Sequence, residues 1–327
     1  MPRLKIATWN TEWLNNCFKN NKPKPEEKYQ SQLTQLGTGV NELSPDILIL
    51  QEGPNEYVEM QSFLDEFVAD SYISIRAALR DKNPVTGKKY GDTQLNWILY
   101  KDNGKLSHTS MENTETSGPF MDWETVIHPD IGKEQFFHHR LPVEIDLTYK
   151  DGAITSPPIK IFGMHPKSKK ASDKPGSAAE NRRILLAQAI DIRNYVDFLL
   201  DKDPKKHIMI CGDMNDGIGL DPFEYHLGGD FASIVTGSVR TPYRLFTNAC
   251  ASQIIENIER PGTHHSLAFR EGNKTRKLLI DHLLFSPSFK SSSIVLDKNS
   301  GKIRNDILNT HPKASDHAPV EASITIS

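Results

Sequence analysis

Apolar residues fall along this chain in short runs of strand length, separated by longer stretches with helical spacing. Strands are predicted over Leu4 to Asn10, Ile47 to Gln51, Leu95 to Tyr100, Val143 to Tyr149, Ile159 to His165, Ile208 to Asp213, Leu278 to Phe285 and Val320 to Ile326. In the last, Val320, Ala322, Ile324 and Ile326 alternate with Glu321, Ser323 and Thr325, so one face is apolar and the other polar. A helix is predicted over Ala178 to Leu200, where Leu185, Ala189, Ile192, Val196 and Leu199 recur at steps of four and three. Pro175-Gly176 punctuates its start, and Ser177 with Glu180 reads as a capping box. Two more helices are predicted over Lys28 to Leu43 and Glu56 to Phe67. Asp81 to Asp92, Asn103 to Lys133 and Gly217 to Pro242 are rich in turn residues and read as loops or small hairpins.

No fixed repeat and no Gly/Ser or Pro linker divides the chain, so one α/β domain over residues 1–327 is expected. No stretch approaches the ~18 apolar residues of a membrane span, and Met1 to Lys5 runs into a strand pattern without an apolar signal region. Cys17, Cys211 and Cys250 are odd in number, far apart and fit no zinc spacing, which reads as reduced thiols in a soluble, cytoplasmic protein. The net charge of -3 excludes a polycation that coats DNA. Charge is nevertheless uneven: Lys160 to Arg183 holds seven Lys/Arg against two Asp/Glu, and Arg270 to Lys277 four against one. Such runs are ordinarily solvated faces, and only position gives one a function.

The apolar strands keep ending in carboxylates, amides or histidines. Trp9 leads to Asn10 and Glu12; Ile47 to Leu50 leads to Gln51-Glu52; Ile161 to Met164 leads to His165. Ile208 to Gly212 leads to Asp213-Met214-Asn215-Asp216, Leu278 to Ile280 meets Asp281-His282, and Ser315-Asp316-His317 precedes the final strand. Any one of these is ordinary turn chemistry. Six together point to a site where strand ends converge, because loops there are held by a rigid sheet. So many carboxylates in one place need a cation or paired histidines. Ser315-Asp316-His317 is not a hydrolase triad, since neighbours in an extended segment point apart and no G-x-S-x-G elbow exists. His138-His139 and His264-His265 read as surface or phosphate-proximal pairs rather than metal chelates.

The series Trp9-Asn10-Thr11-Glu12, Gln51-Glu52, His165-Pro166-Lys167-Ser168-Lys169, Gly212-Asp213-Met214-Asn215-Asp216, Ile280-Asp281-His282 and Ser315-Asp316-His317-Ala318-Pro319-Val320 resembles the motifs of the endonuclease/exonuclease/phosphatase superfamily in their usual order. The resemblance runs from Trp9 to Val320. It implies a four-layer αββα sandwich with two packed mixed β-sheets. It also implies that Glu52 is the main metal carboxylate, with Asn10, Glu12 and Asp316 at or just outside the metal shell. Asp213 and Asn215 would position water and phosphate, Asp281 and His317 would form the acid–histidine pair, and His165 would be a second phosphate-site histidine. Arg140, before Leu141-Pro142, resembles a phosphate contact.

Oxygen donors without thiolates favour a hard cation, so Mg²⁺ is expected, with Mn²⁺ tolerated. Lys167, Lys169 and Lys170 follow His165 directly and are expected to hold phosphate, as backbones of nucleic acid are held. The expected function is therefore metal-dependent hydrolysis of nucleic acid, DNA before RNA, with no membrane partner; a small phosphorylated ligand such as an inositol phosphate is the alternative. Trp97, Trp123 and Phe120 are weighed as base-stacking aromatics, with a core role favoured for Trp97. His282 after Ile280-Asp281, where the repair-endonuclease branch has an aromatic, argues against abasic-site specificity.

Overall fold

The structure, a computed structural model, describes residues 1–18, 25–78, 94–110, 120, 123–127, 132–170, 176–217, 221–251, 264–271 and 274–327, with the backbone alone for 110, 264–271 and 274–277. The loop expected over Asp81 to Asp92 lies outside these residues, as do parts of Asn103 to Lys133 and Pro175.

Two mixed sheets pack face to face, with helices around them. In the first, the strands run in the order Ile294–Leu296, Val320–Ile326, Arg3–Asn10, Ile47–Gly53, Leu95–Lys101, Tyr72–Arg76. In the second, the order is Thr247–Asn248, Asp281–Phe285, His207–Asp213, Ile159–Met164, Val143–Asp151, Leu106–Ser110. Each sheet has one parallel pair at its centre, Arg3–Asn10 with Ile47–Gly53 and Ile159–Met164 with His207–Asp213. Parallel neighbours bring like ends together, so the carboxyl ends of these strands share one rim.

Alternation sorts the side chains into layers. Leu4, Ile6, Ile47 and Ile49 face the second sheet, whereas Ala7, Trp9, Leu48 and Leu50 face the helices Gln30–Leu43 and Tyr57–Phe67, meeting Leu33, Leu36, Val40, Met60 and Phe63. The 26-residue helix Ser177–Lys202 lays Leu185, Ala189, Ile192 and Val196 against the second sheet. A Cβ on Gly163 would lie 2.9 Å from Ile49 Cγ2 of the facing sheet, so a hydrogen there lets the two sheets close up. Among the described residues, no helix is long and apolar enough to cross a membrane.

Several expectations change. Gly176, not Ser177, caps the long helix, and without a side-chain hydrogen bond. Capping boxes form elsewhere, between Glu56 and Glu59 and between Asp221 and Glu224. The single strand expected over Leu278 to Phe285 breaks at Leu279-Ile280, where the Ile280 carbonyl accepts the Met214 amide at 2.8 Å. Gly217 to Pro242 contains two short helices, Pro222–Leu227 and Phe231–Thr236, capped by Asp221 and Asp230. Tyr72–Arg76 and Leu106–Ser110 are strands that alternation alone did not reveal.

Candidate active site

Asn10 and Asp213 end central strands of opposite sheets and meet across the interface, with Asn10 Nδ2 donating to Asp213 Oδ2 at 2.9 Å. The same amide nitrogen reaches Glu52 Oε1 at 3.3 Å. Glu52 needs a backbone device to get there. Strict alternation would send it to the helix side with Leu48 and Leu50, but the pairing register shifts between Leu50 and Gly53 and Glu52 takes φ 61°. An irregularity of this kind re-aims a side chain, and left-handed backbone on a non-glycine residue is strain characteristic of functional positions. Glu52 Oε2 then accepts the Trp13 amide at 2.8 Å and Gln94 Nε2 at 2.6 Å.

Asp281 stands opposite Asp213 in the antiparallel register, so both carboxylates share one face. Asp281 Oδ2 bonds His317 Nδ1 at 2.8 Å, and His317 Nε2 lies 3.9 Å from Asp213 Oδ2 and 3.7 Å from Asp316 Oδ1. The acid partner of His317 is therefore Asp281, not its neighbour Asp316. Ser315 is a fastener: its hydroxyl donates to the Asn10 carbonyl at 2.6 Å and accepts the His317 amide at 3.0 Å. His165 Nε2 lies 3.5 Å from Asp213 Oδ2 and 3.8 Å from Glu52 Oε1. The amide of Asn215 bonds Asp213 Oδ1 at 2.7 Å, and its side chain reaches the Pro166 carbonyl at 3.1 Å. Arg140 donates to Gln94 Oε1 at 2.5 Å and to the Pro166 carbonyl at 3.0 Å, and the charges of Glu52 and Asp213 act on it.

Charges in this cluster are mutually dependent. Burial and the adjacent Asp281 raise the pKa of Asp213. Burial alone would lower His317, but Asp281, Asp213 and Asp316 outweigh it and raise it to about 10. His165 is pushed well below its ordinary value by burial, Arg140 and His317, so it is neutral at pH 7. Glu12 is raised by burial, then by Asp316, with Glu52 adding to it. Asp213, Asp281 and His317 offer donor atoms within 4.8 Å of one another, a group that can hold a metal ion.

All nine residues expected for catalysis and metal holding thus lie in one network. The lysines separate. Lys167 is half-buried, and burial and then the charge of Arg140 lower its pKa; Lys170 is exposed. Lys169 Nζ is ion-paired with Asp216 and Glu224, both 0% exposed. Three more cations of the basic run are similarly committed: Lys160 is buried on Glu144 and Asp146, Arg182 pairs with Asp221, and Arg183 with Glu134, while Lys174 lies outside the described residues. Trp97 and Phe120 are core residues. His138, expected at the surface or near phosphate, is buried on Asp191, and Trp123 tilts against it. The side chains of His264, His265 and the Arg270–Lys277 run lie outside the described residues.

The sequence profile of the Endonuclease/Exonuclease/phosphatase family matches residues 7–317. The chain belongs to that family. Its members hydrolyse phosphodiester bonds and generally use divalent metal ions. Solved structures carry the same fold at low identity. The human Nocturnin catalytic domain with bound sulfate superimposes with TM-score 0.54 at 12% identity, covering 99% of this chain and 95% of that one. An endonuclease/exonuclease/phosphatase from Bacteroides vulgatus gives 0.53 at 15%, covering 100% of each. TDP2 of D. rerio complexed with single strand DNA product gives 0.52 at 10%, covering 99% of each. No curated protein matches the chain at sequence level.

Proposed function

We propose that this protein hydrolyses phosphodiester bonds of nucleic acid, DNA before RNA, with Mg²⁺ or Mn²⁺. One observation carries this reading: Glu52, Asn10 and Asp213 form a hydrogen-bonded row whose far end faces the His317–Asp281 pair. The D. rerio structure with a single-stranded DNA product supports the choice of substrate at the level of fold.

A divalent ion fits the donor set. Glu12, Glu52 and Asp316 are close enough to raise Glu12 by mutual repulsion, an arrangement that favours a hard cation. We assign the ion to Glu52 with Asn10, Glu12 and Asp316, because His317 and Asp281 already satisfy each other. When bound, it supplies positive charge to a phosphoryl oxygen. The chain's own residues do the rest. Asp213, fixed by Asn10 and the Asn215 amide, has the raised pKa of a group that takes a proton from water. His317 is held as imidazolium by Asp281 and offers its Nε2 proton to the charge that grows on phosphorus-bound oxygen. Neutral His165 offers a second contact, and Arg140 with Lys167 supplies cationic phosphate binding. Water adds to phosphorus as the bond to the leaving ester oxygen breaks.

The ion pairing of Lys160, Lys169, Arg182 and Arg183 favours a second reading, a small phosphorylated ligand such as an inositol phosphate, because it leaves less cationic surface for a long backbone. The two are separated by incubating single- and double-stranded DNA, RNA and an inositol phosphate with Mg²⁺, Mn²⁺ or EDTA. Metal-dependent cleavage of a polynucleotide, weakening with salt, is expected. Turnover of the inositol phosphate alone would replace this reading with the second.

A further inference from the structure

We infer that Trp13 is a stacking platform for a nucleobase beside the scissile phosphate, so that the substrate strand reaches the site unpaired; this deepens the nucleic-acid reading above and rests on it. Trp9 and Trp97 are 0% exposed, whereas Trp13 is 52% exposed. It follows Glu12 in sequence, and its own amide is bonded to Glu52 Oε2 at 2.8 Å, which fixes the residue beside the carboxylate row. An apolar ring this large is ordinarily withdrawn from water.

The backbone goes out of its way to keep the indole there. Glu12 and Trp13 are consecutive non-glycine residues in left-handed conformation, at φ 44° and 62°. Next comes the short helical turn Leu14–Cys17, whose Leu14 and Cys17 are buried, so the turn is anchored inward as Trp13 is carried outward. Gln32 Nε2 holds the Glu12 carbonyl at 2.7 Å. Strain of this kind persists only where surroundings over-determine it, and such residues cluster at ligand-contacting sites.

A second exposed aromatic shows the contrast. Tyr57, on the helix that follows Glu52, stands edge-on to Trp97 at 5.2 Å between centroids, and Arg76 lies over its ring at 5.1 Å. Its ring is engaged within the protein. For Trp13, no ring or cation contact exists among the described residues. A flat, apolar, accessible face on a residue whose amide is bonded to Glu52 matches a base rather than a hydroxyl-studded cyclitol. In a duplex both faces of a base are already stacked, so only an unstacked base can lie on the indole.

The test compares kcat/KM of wild type, Trp13→Phe and Trp13→Ala on single-stranded DNA and on a strand of abasic residues with the same backbone. Wild type should favour the base-bearing strand. Trp13→Ala should lose about tenfold to a hundredfold on it, mainly through KM, the size of one base–aromatic stack. It should lose far less on the abasic strand, and Trp13→Phe should recover most of the difference. Equal losses on both strands would overturn the inference, making Trp13 a support for Glu52, as would no loss on either. If wild type cleaves neither these strands nor an RNA of the same length, the nucleic-acid reading itself fails, a result distinct from both.

Discussion

Gln94 joins the two halves of the proposed phosphate site, and removing it should change the metal requirement before anything else. Its Nε2 donates to Glu52 Oε2 at 2.6 Å while its Oε1 accepts from Arg140 Nη1 at 2.5 Å. In Gln94→Ala, Glu52 keeps the Trp13 amide and the longer Asn10 contact, and Arg140 keeps the Pro166 carbonyl. The net loss on the carboxylate is one hydrogen bond to a charged group, about 2 kcal/mol. Since 1.36 kcal/mol is a factor of ten, the metal concentration for half-maximal rate should rise roughly 30-fold, within the range for groups that orient a metal-holding residue. The assay is the initial rate of oligonucleotide cleavage across a Mg²⁺ titration, with a thermal melt to verify folding. At saturating Mg²⁺ most of the rate should return. A variant with unchanged half-saturation, or one whose rate stays low at every Mg²⁺ concentration, would refute the view that Glu52 holds the ion and Gln94 holds Glu52.

Other outcomes follow from burial and charge. Lys169→Met leaves Asp216 and Glu224 as buried carboxylates without their cation, so it should lower stability by on the order of 3 kcal/mol; Lys167→Ala should instead raise KM for a polynucleotide with little change in melting temperature. His317 has a folded-state pKa raised from 6.5 to about 10, so the stability it contributes is complete below pH 6.5 and is lost as pH rises towards 10. In EDTA the wild-type melting temperature should fall across that window, and His317→Ala should flatten the slope; an identical slope in both would contradict the pairing with Asp281. Burial pushes the thiols of Cys17 and Cys250 to about 12 and that of Cys211 higher still. A thiol reagent at mildly alkaline pH should therefore label none of the three in native protein and all in urea, and native labelling would mean that one of them is reachable.

Much of this site was legible in the sequence because its residues sit where strands end. Asn10, Glu52, His165, Asp213 and Asp281 each follow an apolar run, His317 stands just before the last one, and two parallel pairs at the sheet centres bring the ends of four of those runs to one rim. Gln94 gives no such signal. It is a lone amide before Leu95, and its partner Glu52 is 42 residues away, beside it only because Leu95–Lys101 pairs with Ile47–Gly53. Trp13 gives no signal for a related reason: sequence spacing does not reveal that two left-handed residues, Glu12 and Trp13 itself, turn it outward.

Lys169 shows the opposite failure. Its place after His165 suggested phosphate, yet the carboxylates that capture it come from the loop after Asp213 and from the helix Pro222–Leu227, which was expected to be irregular. The Asp221-Pro222 and Glu224 pattern was a capping signature in plain sight. A charge run can be assigned to solvent or ligand only once the opposing charges are placed.

The convergence of Asn10, Glu52, Asp213 and the His317–Asp281 pair into one hydrolytic centre is tested most directly by the turnover of single-stranded DNA in Mg²⁺ by wild type and Asp213→Asn, with melting temperatures measured in parallel. Loss of about 10³-fold or more in kcat at an essentially unchanged melting temperature is expected. An Asp213→Asn protein that melts normally and still cleaves within a few-fold of wild type would contradict it.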